Sequence, residues 1–158
     1  MKKLELSDVE VYELKSEIIN ETFEILVKHP DPAIVSLFGD KPLPVVFGTD
    51  ANLSAGSYVN TIDGLFLGGE IPPVIFIGIR YKLGDEPDFM QFVTNRTREF
   101  TPTEDVEKQK IMEQMTLREV KGGGAEDFLK FLTTELRDWV SERFNVSDDT
   151  TYIGDSMG

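Results

Sequence analysis

The sequence predicts a mixed α/β fold, an antiparallel strand pair leading into parallel strands joined by crossover helices. Three observations predict it. Apolar and charged residues alternate over 9–16 and 22–29; two short, unbroken apolar runs, "LPVVFG" and "PPVIFIGIRY", follow prolines; and 125–144 is amphipathic at helical spacing. Alternation marks strands with one covered face, unbroken β-branched runs mark strands covered on both faces, and an apolar helical stripe needs a sheet to cover.

In chain order, "VEVYELKS" sets Val9, Val11 and Leu14 among charges, and "TFEILVKH" puts Phe23, Ile25 and Val27 on one face, with "EIINE" as the turn of an antiparallel pair. "LPVVFG" and "PPVIFIGIRY" are read as interior parallel strands. Between them "SAGSYVNTIDGLFLGG" has a candidate cap at Ser54 and a double-glycine stop at Gly68 and Gly69, so it is read as a crossover helix near 55–67. Residues 84–121 are polar and are read as an irregular, flexible flap or insertion within one 1–158 domain. It holds one short exposed helix, "DVEKQKIMEQMTLREV", broken by "GGG" at 122–124. In 125–144 the stripe is Phe128, Leu132, Leu136, Trp139, Val140 and Phe144, with Glu126 and Asp127 in the first turn, where the helix dipole favours them. "NVSDD" reads as a turn into a last strand, "TTYIG", which runs straight into "DSMG".

Composition narrows the function. With 158 residues, 40% hydrophobic and 10% aromatic, the chain can bury a sizeable core. Sixteen basic against 29 acidic residues, a net charge of −13, argue against nucleic acid or an anionic membrane as partner. The absence of cysteine excludes disulfides and thiolate chemistry. A single histidine and scattered carboxylates give no metal-ligand spacing, and neither a P-loop nor a dinucleotide glycine fingerprint is present, so no metal or cofactor is expected. The opening residues lack an apolar signal core and no run reaches the roughly 20 residues of a membrane span, so the expected compartment is cytoplasmic.

Gly154, Asp155, Ser156, Met157 and Gly158 fit G-x-S-x-G, the turn in which a serine is lifted above a sheet between a strand and a helix. The bare pattern also fits an ordinary glycine-rich turn; the β-branched strand before it favours the nucleophile. Taken in order, "LPVVFGTDAN", "IPPVIFIGIRY", "NRTREFTPT", "GGGAEDFLKFLTTELRDW" and "YIGDSMG" resemble the Putative esterase family of α/β-hydrolases. That family includes siderophore esterases, S-formylglutathione hydrolases, feruloyl esterases and mycolyltransferases, and the siderophore-esterase branch is the nearest in pattern. "TDAN" departs from its usual Asp-Gly-Asn by having Ala51, a less permissive residue for that turn.

The resemblance implies the first part of an α/β-hydrolase fold, with strands in the spatial order 1-2-4-3-5. It also implies Ser156 as nucleophile of a serine ester hydrolase acting on a small-molecule ester, with the backbone N–H groups of Met157 and Asn52 as oxyanion donors. Asp50 reads as a loop carboxylate holding the turn before the helix rather than as the catalytic acid, because in this fold the acid follows the serine. Arg96 and Arg98 have two readings, a grip on an anionic substrate or structural pairing, for instance with Glu99. His29 precedes the third strand, the wrong chain order for a triad imidazole, and reads as structural or exposed. The chain is therefore expected to be the N-terminal portion of a hydrolase lacking the acid and imidazole, inactive alone, with its last strand as an association-prone edge. The competing reading is a non-catalytic α/β-hydrolase-like binding or regulatory module. Oligomeric state and the identity of the ester are left open.

Overall fold

The computed structural model describes residue 6 and residues 8–39, 41–83 and 88–158; the chain's first five residues and the start of the polar segment, 84–87, lie outside the described residues. Strand β1 (Val9–Lys15) and strand β2 (Thr22–Lys28) form the antiparallel pair. They are followed by α1 (Pro32–Phe38), β3 (Leu43–Gly48), α2 (Ala51–Leu67) and β4 (Ile75–Tyr81). Then come α3 (Phe89–Glu99), α4 (Val106–Thr116), α5 (Ala125–Thr133), α6 (Glu135–Arg143) and β5 (Val146–Ile153). The five strands make one sheet in the order β1-β2-β4-β3-β5, the order expected. β2 meets β4 antiparallel, while β3 runs parallel to both β4 and β5.

Two-residue alternation sorts each strand between two faces. Phe23, Ile25 and Val27 of β2, Val45 and Phe47 of β3, and Ile75, Ile77 and Ile79 of β4 join one core with Phe92 of α3, Phe128, Phe131 and Leu132 of α5, and Leu136 and Val140 of α6. The register aligns them in rows, Ile25 opposite Ile79 and Val27 opposite Ile77, which in turn faces Phe47. Each such side chain taken from water contributes about 1.5–3 kcal/mol, the main term holding the sheet to these helices. On the other face Leu26 packs with Ala51 and Ala55 of α2. That helix lies close because small residues face it: a Cβ on Gly78 would stand 3.1 Å from the Ala51 Cβ.

Several elements differ from the sequence expectation. The 125–144 helix breaks at Thr134, whose φ/ψ of −122°/−83° is not helical. The Thr133 and Thr134 hydroxyls donate back to the Leu129 and Lys130 carbonyls, a side-chain bond that competes with regular helix geometry. After the break, the Glu135 carboxylate accepts the Ser16 hydroxyl (2.6 Å) and the Glu17 and Ile18 N–H groups, fastening α6 to the β1–β2 turn. The polar 84–121 segment contains two helices rather than one. Each starts at an aspartate whose carboxylate accepts a first-turn N–H, Asp88 from Gln91 and Asp105 from Lys108, and such a cap needs no apolar periodicity to announce it. The triple glycine after α4 is also a docking strip, with Gly124 N–H donating to the Arg98 carbonyl and Gly123 N–H to the Thr101 hydroxyl.

Helix α1 was not foreseen and buries no residue. Helix α2 starts at Ala51, so Ser54 lies inside it and Asp50 takes the cap position. β5 begins at Val146 within the stretch read as a turn. The pairing with β3 slips between Leu43 and Val45, so the polar residues 147–149 bulge from the strand and read as a loop.

Candidate active site

Because β3 and β5 are parallel neighbours, the turns that follow them leave the sheet at the same end. Gly48 pairs with Ile153, and the Thr49 N–H extends the ladder by donating to the Ile153 carbonyl at 3.1 Å. One turn leads through Thr49 and Asp50 into α2; the other is Gly154–Gly158. They touch. A Cβ on Gly154 would lie 2.0 Å from the Gly158 carbonyl carbon, and a Cβ on Gly158 would lie 2.6 Å from Asp50 Oδ2. Both glycines of the motif are thus required by close approach, one within the turn and one against its neighbour.

Ser156 sits at the apex with φ 61°, a left-handed conformation that costs a residue with a Cβ about 1 kcal/mol or more. The turn around it is closed by the Gly158 N–H, which donates to the Asp155 carbonyl at 2.9 Å. Ser156 is exposed. It lines a cleft of about 350 Å³ together with Asp50, Leu53, Phe92, Arg96 and Met157. Met157 also borders two further cavities. One of about 330 Å³ lies against Pro102, Gln109 and Ile111, and one of about 360 Å³ lies against Glu99, Phe128 and Tyr152.

The facing turn carries the second left-handed non-glycine residue of the site, Asp50, at φ 55°. Asp50 is buried and makes no side-chain cap; its carboxylate is held by Arg96 instead. Arg96 Nε lies 2.9 Å from both carboxylate oxygens and Nη2 lies 2.9 Å from Oδ2. The same Nη2 donates to the Asp155 carbonyl at 2.7 Å, and the guanidinium lies over the Phe100 ring. The Asp50 hydrogen bonds hold the Arg96 pKa above its ordinary value against the opposing pull of burial, so the cation is permanent.

Asn52 has its side chain committed. Its amide donates to the Tyr81 carbonyl (3.0 Å) and accepts the Tyr81 N–H (2.8 Å), pinning the first turn of α2 to the end of β4. Leu53 and Ser54 N–H groups both use the Asp50 carbonyl. Ala51 and Asn52 therefore carry the first-turn N–H groups that a helix leaves without an intrahelical acceptor.

Arg98 is structural. It donates to Glu99 Oε1 at 2.7 Å and to Glu21 Oε1 at 3.2 Å. Of the two readings given for the arginines, pairing with carboxylates of this chain is what both adopt. Glu99 is 2% exposed, and neither its Oε2 nor the buried Tyr81 hydroxyl beside it has a hydrogen-bond partner among the described residues. Burial pushes the Glu99 carboxyl up, Arg98 pulling the other way, and burial also drives the Tyr81 hydroxyl well above its usual range.

His29 stands at the other end of the sheet. β2 is antiparallel to β4, with Lys28 opposite Phe76, so His29 follows beside the start of β4, where the parallel strands begin. Its Nε2 is 3.9 Å from Glu10 Oε2 and its ring meets Phe144 edge-on. Among the described residues no group of three or more His, Asp or Glu side chains could hold a metal ion, and no helix is long and apolar enough to cross a membrane.

The profile of the family described as "Putative esterase" matches residues 16–158. The chain belongs to this esterase family. No curated protein matches it, but solved structures do. The BES protein from Bacillus cereus superposes with a TM-score of 0.75 at 20% identity, over 100% of this chain and 55% of that one. An IroE-like serine hydrolase from Shewanella oneidensis gives 0.73 at 25% identity, over 95% and 43%. The siderophore hydrolase EstB from Aspergillus nidulans gives 0.71 at 20%, over 99% and 52%. The chain thus spans about half the length of these structures, and its mixed sheet with flanking helices is the architecture of α/β-hydrolase esterases.

Proposed function

We propose that this protein is a serine carboxylic-ester hydrolase that acts through an acyl-enzyme on Ser156. The observation that carries the reading is the Ser156 turn itself. An exposed serine is held at φ 61° between two glycines with no room for a side chain, beside the turn that leads into α2. In this reading the Ser156 Oγ attacks the ester carbonyl, and negative charge gathers on the carbonyl oxygen. The N–H groups of Met157 and Asn52 donate hydrogen bonds to that oxygen, each worth about 10²–10³ in rate. Collapse expels the alcohol and leaves the acyl group on Ser156, and water attacking the same carbonyl returns the serine. The substrate class is a small-molecule ester. Membership of an esterase family and the naming of structural neighbours as siderophore hydrolases support it.

The serine proton needs a base. His29 is at the far end of the sheet, and Asp50 is neutralised by Arg96, so the 158 residues by themselves are proposed to be inactive. The acid and imidazole of the working enzyme would come from outside them. The test is labelling by a fluorophosphonate probe together with hydrolysis of a chromogenic acyl ester, in the intact protein and in Ser156→Ala. Both signals should be present in the former and fall to background in the latter. An intact protein inert to both would sink the reading in favour of a non-catalytic binding module, and Ser156-dependent turnover by the 158 residues alone would overturn the missing-base argument.

A further inference from the structure

We propose that the cavity of about 330 Å³ between the end of α3, helix α4 and the triple glycine holds one arm of the ester, and that the Gln109 amide selects an arm that is apolar but for one hydrogen-bond acceptor. The inference rests on the acyl-enzyme reading and extends it to the class of ester taken.

The place of the cavity is the first argument. It adjoins the Ser156 cleft, because Thr97, Met112 and Met157 border both. A carbonyl carbon at Ser156 carries two substituents, and two compartments that meet at Met157 give each of them a place. The third cavity at Met157 lies against Tyr152 and Ile153 of β5 and shares only Met157 with the cleft. An apolar cavity of about 150 Å³ already accepts benzene, so one of this size admits a ring or a short chain.

The lining is the second argument. Several of its polar side chains are committed elsewhere. The Thr97 and Thr101 hydroxyls donate to the Val93 and Thr97 carbonyls, each at 2.8 Å. The Asp105 carboxylate accepts the Lys108 N–H and lies 3.6 Å from Lys108 Nζ, so those charges offset each other and the cavity favours a neutral arm. Gln109 is different. Its Nε2 is buried and has no hydrogen-bond partner among the described residues. The amide lies over Gly122, where a Cβ would stand 2.7 Å from Thr101 Oγ1 and 3.3 Å from Gln109 Nε2, so the missing side chain is what leaves the amide its room. A buried donor without an acceptor is costly, and a ligand oxygen that meets it recovers that cost on binding. The last torsion of a glutamine is soft, which lets the N–H groups turn to an acceptor inside the cavity.

The experiment compares two esters that differ by one ketone oxygen, p-nitrophenyl hexanoate and p-nitrophenyl 5-oxohexanoate. Their kcat/KM values are measured in the intact protein and in Gln109→Leu and Gln109→Glu, with a thermal melt of each. Hexyl acetate and 5-oxohexyl acetate, followed by proton release, make the same comparison on the alcohol arm. The ratio within a pair, compared between variants, cancels the intrinsic reactivity of the esters.

In one of the two series the preference for the oxo ester should fall about tenfold in Gln109→Leu, the scale of one net hydrogen bond. It should fall further in Gln109→Glu, whose carboxylate offers acceptors only. Gln109→Leu should melt no lower than wild type, since it removes an unpaired buried donor. A preference unchanged within about twofold in both series, or a loss that follows the melting temperature, overturns the proposal. Ser156→Ala run alongside separates the two readings. Hydrolysis that survives it refutes the acyl-enzyme itself, while hydrolysis that needs Ser156 and ignores Gln109 refutes only the pocket.

Discussion

The two ends of the sheet are built differently. Where β3 and β5 finish, two left-handed non-glycine residues, two glycines without room for a Cβ and a buried ion pair are gathered within a few residues. Where β3 and β4 begin, His29 meets a partly exposed Glu10 at 3.9 Å, and α1 buries nothing. The difference follows from strand polarity. Parallel strands discharge their following helices from one end, so helix N-termini and their unpaired N–H groups collect there, and that end is where α/β sheets bind ligands. Strain is tolerated at this end because close packing of one turn on the other holds it.

The largest expected effect breaks the contact that defines the site end. In Gly154→Ala the new methyl meets the Gly158 carbonyl carbon at 2.0 Å, and backbone cannot yield as a flexible side chain would. The turn must open, moving Ser156 and the Met157 N–H together. Ester hydrolysis by the intact protein should fall by about 10³-fold or more, the scale of losing an oxyanion donor together with correct nucleophile placement. Near-normal labelling by the fluorophosphonate probe in this variant would show that the turn is looser than its contacts imply.

How much of this was legible in the sequence depends on the distance over which each signal acts. Strand identity and order could be read because alternation in Phe23–Ile25–Val27 and the unbroken runs after Pro42 and Pro72 are local consequences of how many faces are covered. The tight turn around Ser156 was legible for the same reason, since its two glycines answer steric demands inside a five-residue turn and against its immediate neighbour. Arg96 was not. Its partners are 46 and 59 positions away, and nothing near "NRTRE" distinguishes an arginine bound for Asp50 from one bound for solvent. Helix α3 was missed because it buries only Phe92 and Glu99 and carries no apolar stripe, while α4, which buries only Thr116, was legible as the short exposed helix it is. The break at Thr134 interrupts a periodicity that continues unchanged through it, from Leu132 to Leu136.

A smaller effect sharpens the contrast through charge. Glu99, at the site end, is buried, and its pKa lies above the ordinary 4.5 chiefly because burial penalises the carboxylate. The folded state therefore holds this proton more tightly than the unfolded chain does. The resulting stabilisation is complete below the ordinary value and is lost as pH rises through the folded one. Glu99→Gln removes that titration and sets an amide nitrogen where Oε2 has no partner. Across the window that begins near pH 4.5 and extends upward, wild type should lose stability relative to the variant by at most about 1.4 kcal/mol per pH unit. Parallel denaturation curves across that range would mean that Arg98 offsets the burial in full.

The smallest expected effect belongs to the opposite end, and it is the one that most directly tests whether the ends differ in role. The His29 imidazole is 39% exposed and Glu10 is 58% exposed. At 3.9 Å in that setting solvent screens the pair, and exposed pairs contribute about 0–1 kcal/mol. The edge-on contact with Phe144 adds a small apolar term, since both rings are only partly covered. His29→Ala in the intact protein should change stability by no more than about 1 kcal/mol, and His29→Gln by less. Neither should alter kcat for the chromogenic ester or the pH at which it half-declines, because the ring lies beyond the full length of β4 from Ser156. A shift in that pH profile would place the histidine within electrostatic reach of Ser156, against the antiparallel pairing of β2 with β4 that sets it at the far end of the sheet.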